Sequence, residues 1–368
     1  MNKKIQIVEK TDEDFAIALT KAPEDVIKFA DAAGFCEFFV NRKNVQGRFR
    51  YNWERVMWLF RSMLYCWRMP KEACVLIQYL PTGYFFKGRL GYRFLQRLKQ
   101  KRGVHYIVLM HDVEEARGRA DVADLHLSEE TRKMVEIADV LIVHNPSMIK
   151  WFVQRGVPEK KLVSLDIFDY DAGDFVPSEI FDFERCVTIA GNLNTKPTYG
   201  KDLKSGYLTQ LGTIRDVDWR LYGPWFDPES IKGDNISYCG CFPSAEVPRQ
   251  MTHGFGLVWD GISVDTCAGE HGKYLLINNP HKLSLYLASG LPVIIWNEAA
   301  EAEFVKSHEV GFAVASLHEI PSRLKAMTES EYAHYRRNAQ IVSGKLRAGE
   351  FTRIALEKAL SIIEENKG

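Results

Sequence analysis

The chain has 368 residues, of which 46% are hydrophobic, and this length predicts two domains rather than one. Lys plus Arg and Asp plus Glu both number 48, so the formal net charge is zero, which argues against a nucleic-acid-binding protein that relies on overall positive charge. Residues 42–111 nevertheless contain fifteen basic side chains against Glu54 and Glu72. One part of the surface is therefore expected to be strongly basic.

Seven cysteines, an odd number, are scattered through apolar runs and do not form the pattern of a disulfide framework, which indicates a reducing cytosol. The first residues lack the apolar core of a signal peptide, and no run of about 18 apolar residues could span a bilayer. We expect a cytoplasmic protein that is either soluble or bound peripherally to the inner face of the cell membrane.

Short apolar runs alternate with longer amphipathic runs in the first half of the chain, which is typical of βαβ units and a parallel sheet. Pro23 and Gly34 are expected to lie at the first position of the first helix and just beyond its end, and Ser128 is expected to be an N-cap. The predicted strands are residues 4–8, 37–40, 75–78, 106–110, 140–143 and 162–165. The predicted helices are residues 23–33, 53–67, 88–101, 128–138 and 146–155.

A second alternation of the same kind follows an acidic segment with no clean period, which contains Gly173 and Pro177. We expect an N-terminal domain at 1–168, a linker at 169–185 and a second domain at 186–348. Together they predict an α/β fold of two Rossmann-like, doubly wound domains that face a cleft, with ligands beyond the carboxyl ends of the strands. The predicted strands are residues 186–190, 218–222, 236–238, 255–259, 291–295 and 311–314. Two final helices are predicted at 330–346 and 350–365.

Residues 278–282 read Asn-Asn-Pro-His-Lys and precede a short predicted helix that ends at Gly290. Asn279 suits the N-cap and Pro280 the first helical position, which leaves the amides of His281 and Lys282 as free donors for an anion. Lys282 adds positive charge where the helix dipole is already positive, and this costs stability unless an anion binds. The alternative is an ordinary capped helix with a solvated lysine.

Four further motifs occur beside predicted elements. Gly191-Asn192 follows a strand, Trp259-Asp260 ends another, and His111-Asp112 follows a third. Residues 21–25 read Lys-Ala-Pro-Glu-Asp and include the start of the first predicted helix. With the Asn-Asn-Pro-His-Lys run, these motifs resemble, in their order along most of the chain, the GT-B glycosyltransferases. The likeness is to the group of bacterial β-1,6-galactofuranosyltransferases and of glucosyltransferases that extend GlcNAc on serine-rich adhesins.

This resemblance implies a UDP-sugar donor held mainly by the second domain and a glycan acceptor that enters from the first. Lys282 and the amides of residues 281–284 would neutralise the pyrophosphate in place of a metal, so no cofactor and no metal are expected. Gly191 with its neighbours could equally be a simple tight turn, and Asp260 could cap the turn that follows it. The nucleotide-sugar-binding residues so implied are Gly191, Asn192, Lys196, Gly240, Cys241, Phe242, Trp259, Asp260, Asn279, His281, Lys282, Leu283 and Ser284. Thr20 and Lys21 are candidates for sugar or acceptor contacts.

Transfer with inversion needs a base near the acceptor hydroxyl, and Asp112 is the first candidate, with His111 second. The alternative is that His111 bonds a backbone carbonyl and Asp112 caps a turn. Residues 169–171 and 216–218 both match the Asp-x-Asp pattern of metal-dependent transferases, which we interpret as chance.

Two segments indicate contacts beyond the donor. The polar loop at 261–274 could be a lid that closes on the donor. Residues 42–71 interleave aromatic and basic side chains, which suits an anionic membrane surface and hence a lipid-linked acceptor, but a core-packed helix or a subunit interface of a homo-oligomer would have the same pattern.

The function that we predict is a hexosyltransferase in surface polysaccharide assembly, specifically a galactofuranosyltransferase. One alternative is a UDP-glucose-dependent glucosyltransferase that acts on GlcNAc of an adhesin, and another is a non-catalytic UDP-binding partner subunit of a transferase. Likeness to the GT-B fold also implies that a C-terminal helix at 349–368 packs back on the first domain.

Overall fold

A computed structural model of the chain describes residues 3–10, 18–41, 48–80, 89–113, 115–116, 126–180, 182–196 and 203–367. The strands form two six-stranded sheets in the orders β2-β1-β3-β4-β5-β6 and β12-β11-β10-β7-β8-β9. Neighbouring strands in both sheets are parallel. All the carboxyl ends in a sheet therefore lie at one edge, where binding residues collect.

The first sheet is built from residues 4 to 164. Its strands are β1 (Lys4–Lys10), β2 (Cys36–Asn41), β3 (Cys74–Tyr79), β4 (His105–Met110), β5 (Val140–Val143) and β6 (Leu162–Ser164). Its helices are α1 (Ala18–Ala32), α2 (Arg48–Arg68), α3 (Arg89–Arg102), α4 (Glu129–Ile137) and α5 (Pro146–Val153). Every residue of β5 is buried, as expected for a central strand with helices on both faces. Ser128 is the N-cap of α4, as its sequence indicates.

The second sheet begins at Cys186. Its strands are β7 (Cys186–Ala190), β8 (Asp218–Tyr222), β9 (Ile236–Gly240), β10 (Phe255–Val258), β11 (Val293–Trp296) and β12 (Gly311–Val314). The helices are α6 (Val247–Gln250), α7 (Gly269–Tyr274), α8 (His281–Ala288), α9 (Ala302–Ser307), α10 (Ile320–Ala326), α11 (Glu329–Arg347) and α12 (Glu350–Glu365). Short 3₁₀ helices lie at Glu159–Lys161, Gly206–Thr213 and Leu317–Glu319. The core around β10 and β11 includes Trp219 and Trp259, and both side chains are fully buried.

The last helix does not stay with the second sheet. Helix α12 packs on β4, β5, β6 and α1, where Ala355, Leu356 and Ala359 join the apolar cluster on that face of the first sheet. The chain thus crosses from one sheet to the other twice, once through residues 165–185 and once after α11.

Two local predictions were wrong. Pro23 lies inside α1 rather than at its first position, because the helix already begins at Ala18. The loop predicted at 261–274 contains α7, and its residues Val264, Cys267 and Tyr274 are buried. The burial of these side chains, which the polar composition concealed, orders the second half of that segment.

All seven cysteines are free thiols. Across the described ranges, no helix combines the length and apolar character needed to cross a bilayer.

Candidate functional site

Helix α8 begins at the carboxyl edge of the second sheet, and its first turn is open. The N-cap is Pro280, which has no side-chain acceptor, so the prediction of an Asn279 cap was wrong. The first capping bond runs from the Leu283 amide to the Pro280 carbonyl at 2.8 Å, and in the described residues the amides of His281 and Lys282 find no partner. The buried Nε2 of His281 and Oγ of Ser284 also lack partners there. Such a turn suits an anion.

Asn279 instead joins the two sheets. Its Nδ2 donates to the carbonyls of His144 at 2.8 Å and Asp166 at 3.0 Å, and its Oδ1 accepts from Asn145 at 2.7 Å. The Asn279 side chain bonds these groups instead of capping the helix, because they are buried and would otherwise lack hydrogen-bond partners. A nucleotide contact through the Asn279 side chain stays a prediction.

Lys282 is held beneath the open turn by a buried ion pair. Its Nζ donates to Asp260 Oδ1 at 2.7 Å and to the Trp259 carbonyl at 2.8 Å, and Lys204 lies 3.6 Å from the other Asp260 oxygen. Burial lowers the pKa of Lys282, and Asp260 acts in the opposite direction. An ammonium has three donors, so one N–H of Lys282 is available to a ligand.

Two predicted residues beside this pair lie in the core. Trp259 is fully buried, and its Nε1 donates to the Ser263 carbonyl at 2.9 Å. Leu283 is also fully buried. Their side chains support the end of β10 and the start of α8, and any donor contact from them has to come from the backbone.

A row of glycines lies at the carboxyl ends of β7, β8 and β9. Gly191 donates its amide to the Tyr222 carbonyl, and the Gly223 amide donates to the Gly240 carbonyl at 2.9 Å. A Cβ on Gly223, whose φ is +143°, would lie 1.8 Å from the Gly191 carbonyl oxygen. The backbones of Gly191, Gly223 and Gly240 therefore lie close together and form one wall at the carboxyl edge of the sheet. Only glycine fits at position 223.

The polar residues predicted on this wall are exposed. Lys196 pairs with Asp227 at 2.9 Å, which holds the pKa of that carboxyl low, at about 2. Asn192 accepts from the Asn194 amide at 2.8 Å. Cys241 is exposed and Phe242 is half-buried. They share the carboxyl edge with Gly191, and their contact with a nucleotide stays a prediction.

Asp112 follows β4 at the carboxyl edge of the first sheet and faces the second. Its Oδ1 accepts from the Tyr274 hydroxyl at 3.1 Å, and the same hydroxyl accepts from the Val113 amide at 3.0 Å. Tyr274 ends α7, so an aromatic side chain from the second sheet holds the loop that carries the carboxylate. Asp112 is half-buried.

His111 is fixed in a buried stack. Its Nε2 lies 2.6 Å from Gln78 Oε1, and its ring stacks on Phe168 with centroids 5.4 Å apart. Burial, with the neighbouring His144 and His281, lowers the pKa of His111 to about 3. It is therefore neutral at pH 7 and poorly suited to take a proton.

His144 connects the loop that carries His111 to the segment that precedes His281. Its Nε2 donates to the His111 carbonyl at 2.8 Å, and its Nδ1 accepts from the Asn279 amide at 2.9 Å. Burial lowers the pKa of His144 to about 4 and that of His281 to about 4. The pair of hydrogen bonds requires the neutral form, since protonation of Nδ1 would remove the acceptor for Asn279.

Lys21 and Thr20 lie in α1. Lys21 is paired with Asp25, donates to the Asp171 carbonyl at 2.7 Å and lies over the Tyr170 ring. Burial raises the pKa of Asp25 to about 6. Lys21 thus ties α1 to the segment between the sheets, and its contact with sugar or acceptor stays a prediction. The side chain of Thr20 lies outside the described residues.

The Asp-x-Asp patterns serve other purposes. Asp169 accepts from the Thr352 amide at 2.6 Å and the Phe351 amide at 3.3 Å at the start of α12, and Asp171 pairs with Lys28. Asp216 has a positive φ of 64° in a turn before β8. Over the parts of the chain that the structure covers, no three His, Cys, Asp or Glu side chains converge as a metal-binding group.

Sequence reasoning missed Tyr274, His144, Asn145 and Lys204. Each acts across a separation in sequence that no local motif marks: Tyr274 and Asp112 are 162 positions apart, and Asn145 and Asn279 are 134 apart.

Comparisons with known proteins agree with this architecture. Models of the Glucosyltransferase 3-like N-terminal and C-terminal domains match residues 4–167 and 189–359. The chain is 34% identical over 270 residues to the β-1,6-galactofuranosyltransferase WbbI of Escherichia coli (strain K12), which covers 73% of this chain and 74% of that protein. It is 25% identical over 268 residues to Glucosyltransferase 3 of Streptococcus gordonii, with coverage of 73% and 74%.

A solved structure gives the fold independently. HepE of Anabaena, in complex with UDP and glucose, matches with a TM-score of 0.56 over 98% of this chain and 100% of its own, at 11% identity. The α/β architecture with two Rossmann-like domains, predicted from the alternation along the chain, is confirmed, as is the resemblance to this group of GT-B glycosyltransferases. The chain belongs to the Glucosyltransferase 3-like family of GT-B glycosyltransferases, and it is a hexosyltransferase.

Proposed function

We propose that the protein transfers a galactofuranosyl group from a UDP-sugar to a glycan hydroxyl in surface polysaccharide assembly. The higher identity to WbbI than to Glucosyltransferase 3 supports galactofuranose over glucose. The UDP and glucose held by HepE, which has the same fold, support a nucleotide-sugar donor. The observation that carries the proposal is the pairing of an open α8 turn on one sheet with Asp112 on the other.

The donor diphosphate would bind at the first turn of α8. Its oxygens would accept hydrogen bonds from four donors there. These are the amides of His281 and Lys282, the third N–H of Lys282 and the Ser284 hydroxyl. Positive charge at the helix terminus would stabilise the diphosphate as it leaves, so we propose that catalysis requires no metal. Lys204, which lies beside Asp260, adds a second positive charge near this turn.

Asp112 would act as the base. It would take the proton from the acceptor hydroxyl as the hydroxyl oxygen forms a bond to the anomeric carbon. On the opposite face the bond from that carbon to the diphosphate oxygen would break, UDP would leave with the electron pair, and the anomeric configuration would invert. Neutral His111, fixed by Gln78 and Phe168, would support the loop rather than accept the proton.

Two alternative functions remain to be compared with this proposal, and only the first has specific support. A UDP-glucose-dependent transfer to GlcNAc is supported by the Glucosyltransferase 3-like domain models, which span most of the chain. A non-catalytic UDP-binding subunit would need no base in the cleft, and the orientation of Asp112 towards Tyr274 of the second sheet favours the enzyme over it.

The test compares transfer by the wild type and by Asp112→Asn from UDP-galactofuranose and UDP-glucose, with EDTA present throughout. We expect the wild type to prefer UDP-galactofuranose, to retain its activity in EDTA and to invert the anomeric configuration, as read by NMR of the product. Asp112→Asn should lower kcat by at least about 100-fold and leave UDP binding intact.

Asp234→Asn is the matched control, because Asp234 is an exposed carboxylate that precedes β9 and so lies at the edge of the second sheet opposite the α8 turn, and it should transfer at the wild-type rate. A preference for UDP-glucose would favour the first alternative. Full activity of Asp112→Asn would exclude Asp112 as the base, and UDP binding without any transfer would favour the partner subunit.

A further inference from the structure

Helix α2 carries an apolar stripe on its outward face. Trp53, Phe60 and Trp67 recur every seven residues and are 61%, 62% and 76% exposed. The remaining large apolar residues of the stripe, all exposed, are Val56, Met57, Met63 and Leu64. At 1.5 Å per residue, the stripe extends for about 21 Å along the helix.

The opposite face of α2 accounts for its packing in the fold. Trp58, Cys66 and Met69 are buried in the core of the first sheet, and Trp58 and Tyr65 contact Phe94 of α3. The stripe is therefore not needed to hold the helix in place. A contiguous patch of exposed aromatic and aliphatic side chains of this size marks an interaction surface.

Basic residues border the stripe. Arg50 and Arg68 of α2 are exposed beside it, and Arg93, Arg97 and Lys101 are exposed on the neighbouring α3. The one acidic residue of α2, Glu54, is paired with Arg61. The surface is thus apolar at its centre and positively charged at its edge.

We propose that the α2 stripe and its basic border dock on an anionic lipid membrane. Aromatic and aliphatic side chains enter the boundary between headgroups and acyl chains, and Arg and Lys at the border attract anionic headgroups. A second copy of the chain is the less suitable occupant, because two such faces would bring like-charged borders together. Since α2 follows β2, its first turn lies towards the carboxyl edge of the first sheet, on the side of the cleft.

The test measures co-sedimentation of the full chain with vesicles of phosphatidylcholine alone and of phosphatidylcholine mixed with an equal amount of phosphatidylglycerol. We expect binding to the mixed vesicles only, weakened by salt. Phe60→Ser with Trp67→Ser, and separately Arg50→Glu with Arg68→Glu, should each lower the partition coefficient at least about tenfold.

The control variants make the same kinds of change, apolar to Ser and basic to Glu, at exposed positions outside the stripe and its border. Ile341→Ser changes an apolar residue of α11 that is 63% exposed, and Lys325→Glu with Lys358→Glu reverses exposed charges on α10 and α12; both should bind vesicles as the wild type does. Equal binding by all variants, or none by the wild type, would overturn the proposal. Sedimentation velocity completes the test: a wild-type dimer that Phe60→Ser with Trp67→Ser converts to monomer, without vesicle binding, would assign the stripe to a second copy.

Discussion

Among single residues, Lys282 and Asp260 are the charged pair at the centre of the candidate donor site. A lysine in the first turn of a helix opposes the helix dipole, and Asp260, which is almost completely buried, compensates it. The same aspartate would be left as an uncompensated buried charge if Lys282 were removed, apart from Lys204 at 3.6 Å. Pairing inside the protein therefore pre-positions the ammonium that a diphosphate would meet.

We predict that Lys282→Met lowers the free energy of unfolding by about 3 kcal/mol, because it breaks a buried pair. Adding Asp260→Asn should recover part of that loss, since the second substitution removes the unpaired charge. Urea unfolding of the single and double variants measures both. Lys196→Met, which breaks an exposed pair, should leave stability almost unchanged, and an equal loss there would contradict the prediction.

Tyr274 is a positioning residue, because it holds the loop of Asp112 through one hydroxyl. Tyr274→Phe removes both hydrogen bonds of this hydroxyl, so it should lower kcat about tenfold while the dissociation constant of UDP stays unchanged. Steady-state kinetics and calorimetry separate the two quantities. Tyr335→Phe, a half-buried tyrosine of α11, serves as the control, and a parallel loss of UDP binding in Tyr274→Phe would indicate a merely structural role.

At the scale of elements, the strands were predictable and some helix ends were not. Runs such as residues 140–143 and 186–190 are apolar apart from Thr188 and buried on both faces, which a sequence pattern reveals directly. Helix α7 was missed because its sequence, Gly-Glu-His-Gly-Lys-Tyr, contains two glycines. Its position depends on close backbone packing, since a Cβ on Gly272 would lie 2.4 Å from the Cys267 carbonyl carbon.

The start of α12 depends on a carboxylate from outside the helix. We predict that Asp169→Ala lowers the free energy of unfolding by about 1–2 kcal/mol, because the Phe351 and Thr352 amides lose their acceptor. Denaturant unfolding measures the loss. Asp218→Ala, which belongs to the other Asp-x-Asp pattern and is exposed, should change stability little; equal effects would show that Asp169 does not cap the helix.

At the scale of the whole molecule, the two sheets are joined by buried hydrogen bonds that sequence patterns cannot reveal. His144 and Asn145 from the first sheet meet Asn279 from the second, and Tyr274 meets Asp112. The motif residues Asn279, Lys282 and Asp112 could be named as candidates from the sequence, because each lies close to the end of a predicted strand or the start of a predicted helix. Their partners could not be named, because proximity across a cleft arises only after both sheets have folded.

The neutral state of His144 predicts how stability depends on pH. Its pKa is about 4 in the folded protein against an ordinary value of 6.5, so between these values the unfolded chain binds a proton that the folded chain does not. This contribution to stability is complete above pH 6.5 and is lost as the pH falls towards 4, by about 2 kcal/mol between pH 7 and pH 5.

His144→Gln tests this contribution, since a glutamine can keep both hydrogen bonds without titrating. The fall in unfolding free energy from pH 7 to pH 5 should be about 2 kcal/mol smaller in the variant than in the wild type. Burial raises the pKa of Asp25 to about 6 and that of Asp169 to about 7, which opposes the fall equally in both proteins. His334→Gln, at an exposed position, should behave as the wild type; identical pH dependence in all three proteins would contradict the account of His144.

We expect UDP to bind at the open turn of α8 without a metal, and calorimetric titration of UDP in the presence of EDTA measures this binding. The proteins to compare are the wild type, Ser284→Ala and Ser289→Ala, which change buried serines at opposite ends of the same helix. Only Ser284 lacks an internal partner within the described residues, since Ser289 donates to the Leu285 carbonyl at 2.8 Å.

We predict that the wild type and Ser289→Ala bind UDP equally and that Ser284→Ala binds it about tenfold more weakly, without loss of stability. No UDP binding by the wild type, or equal binding by all three proteins, would contradict the assignment of the donor site to α8.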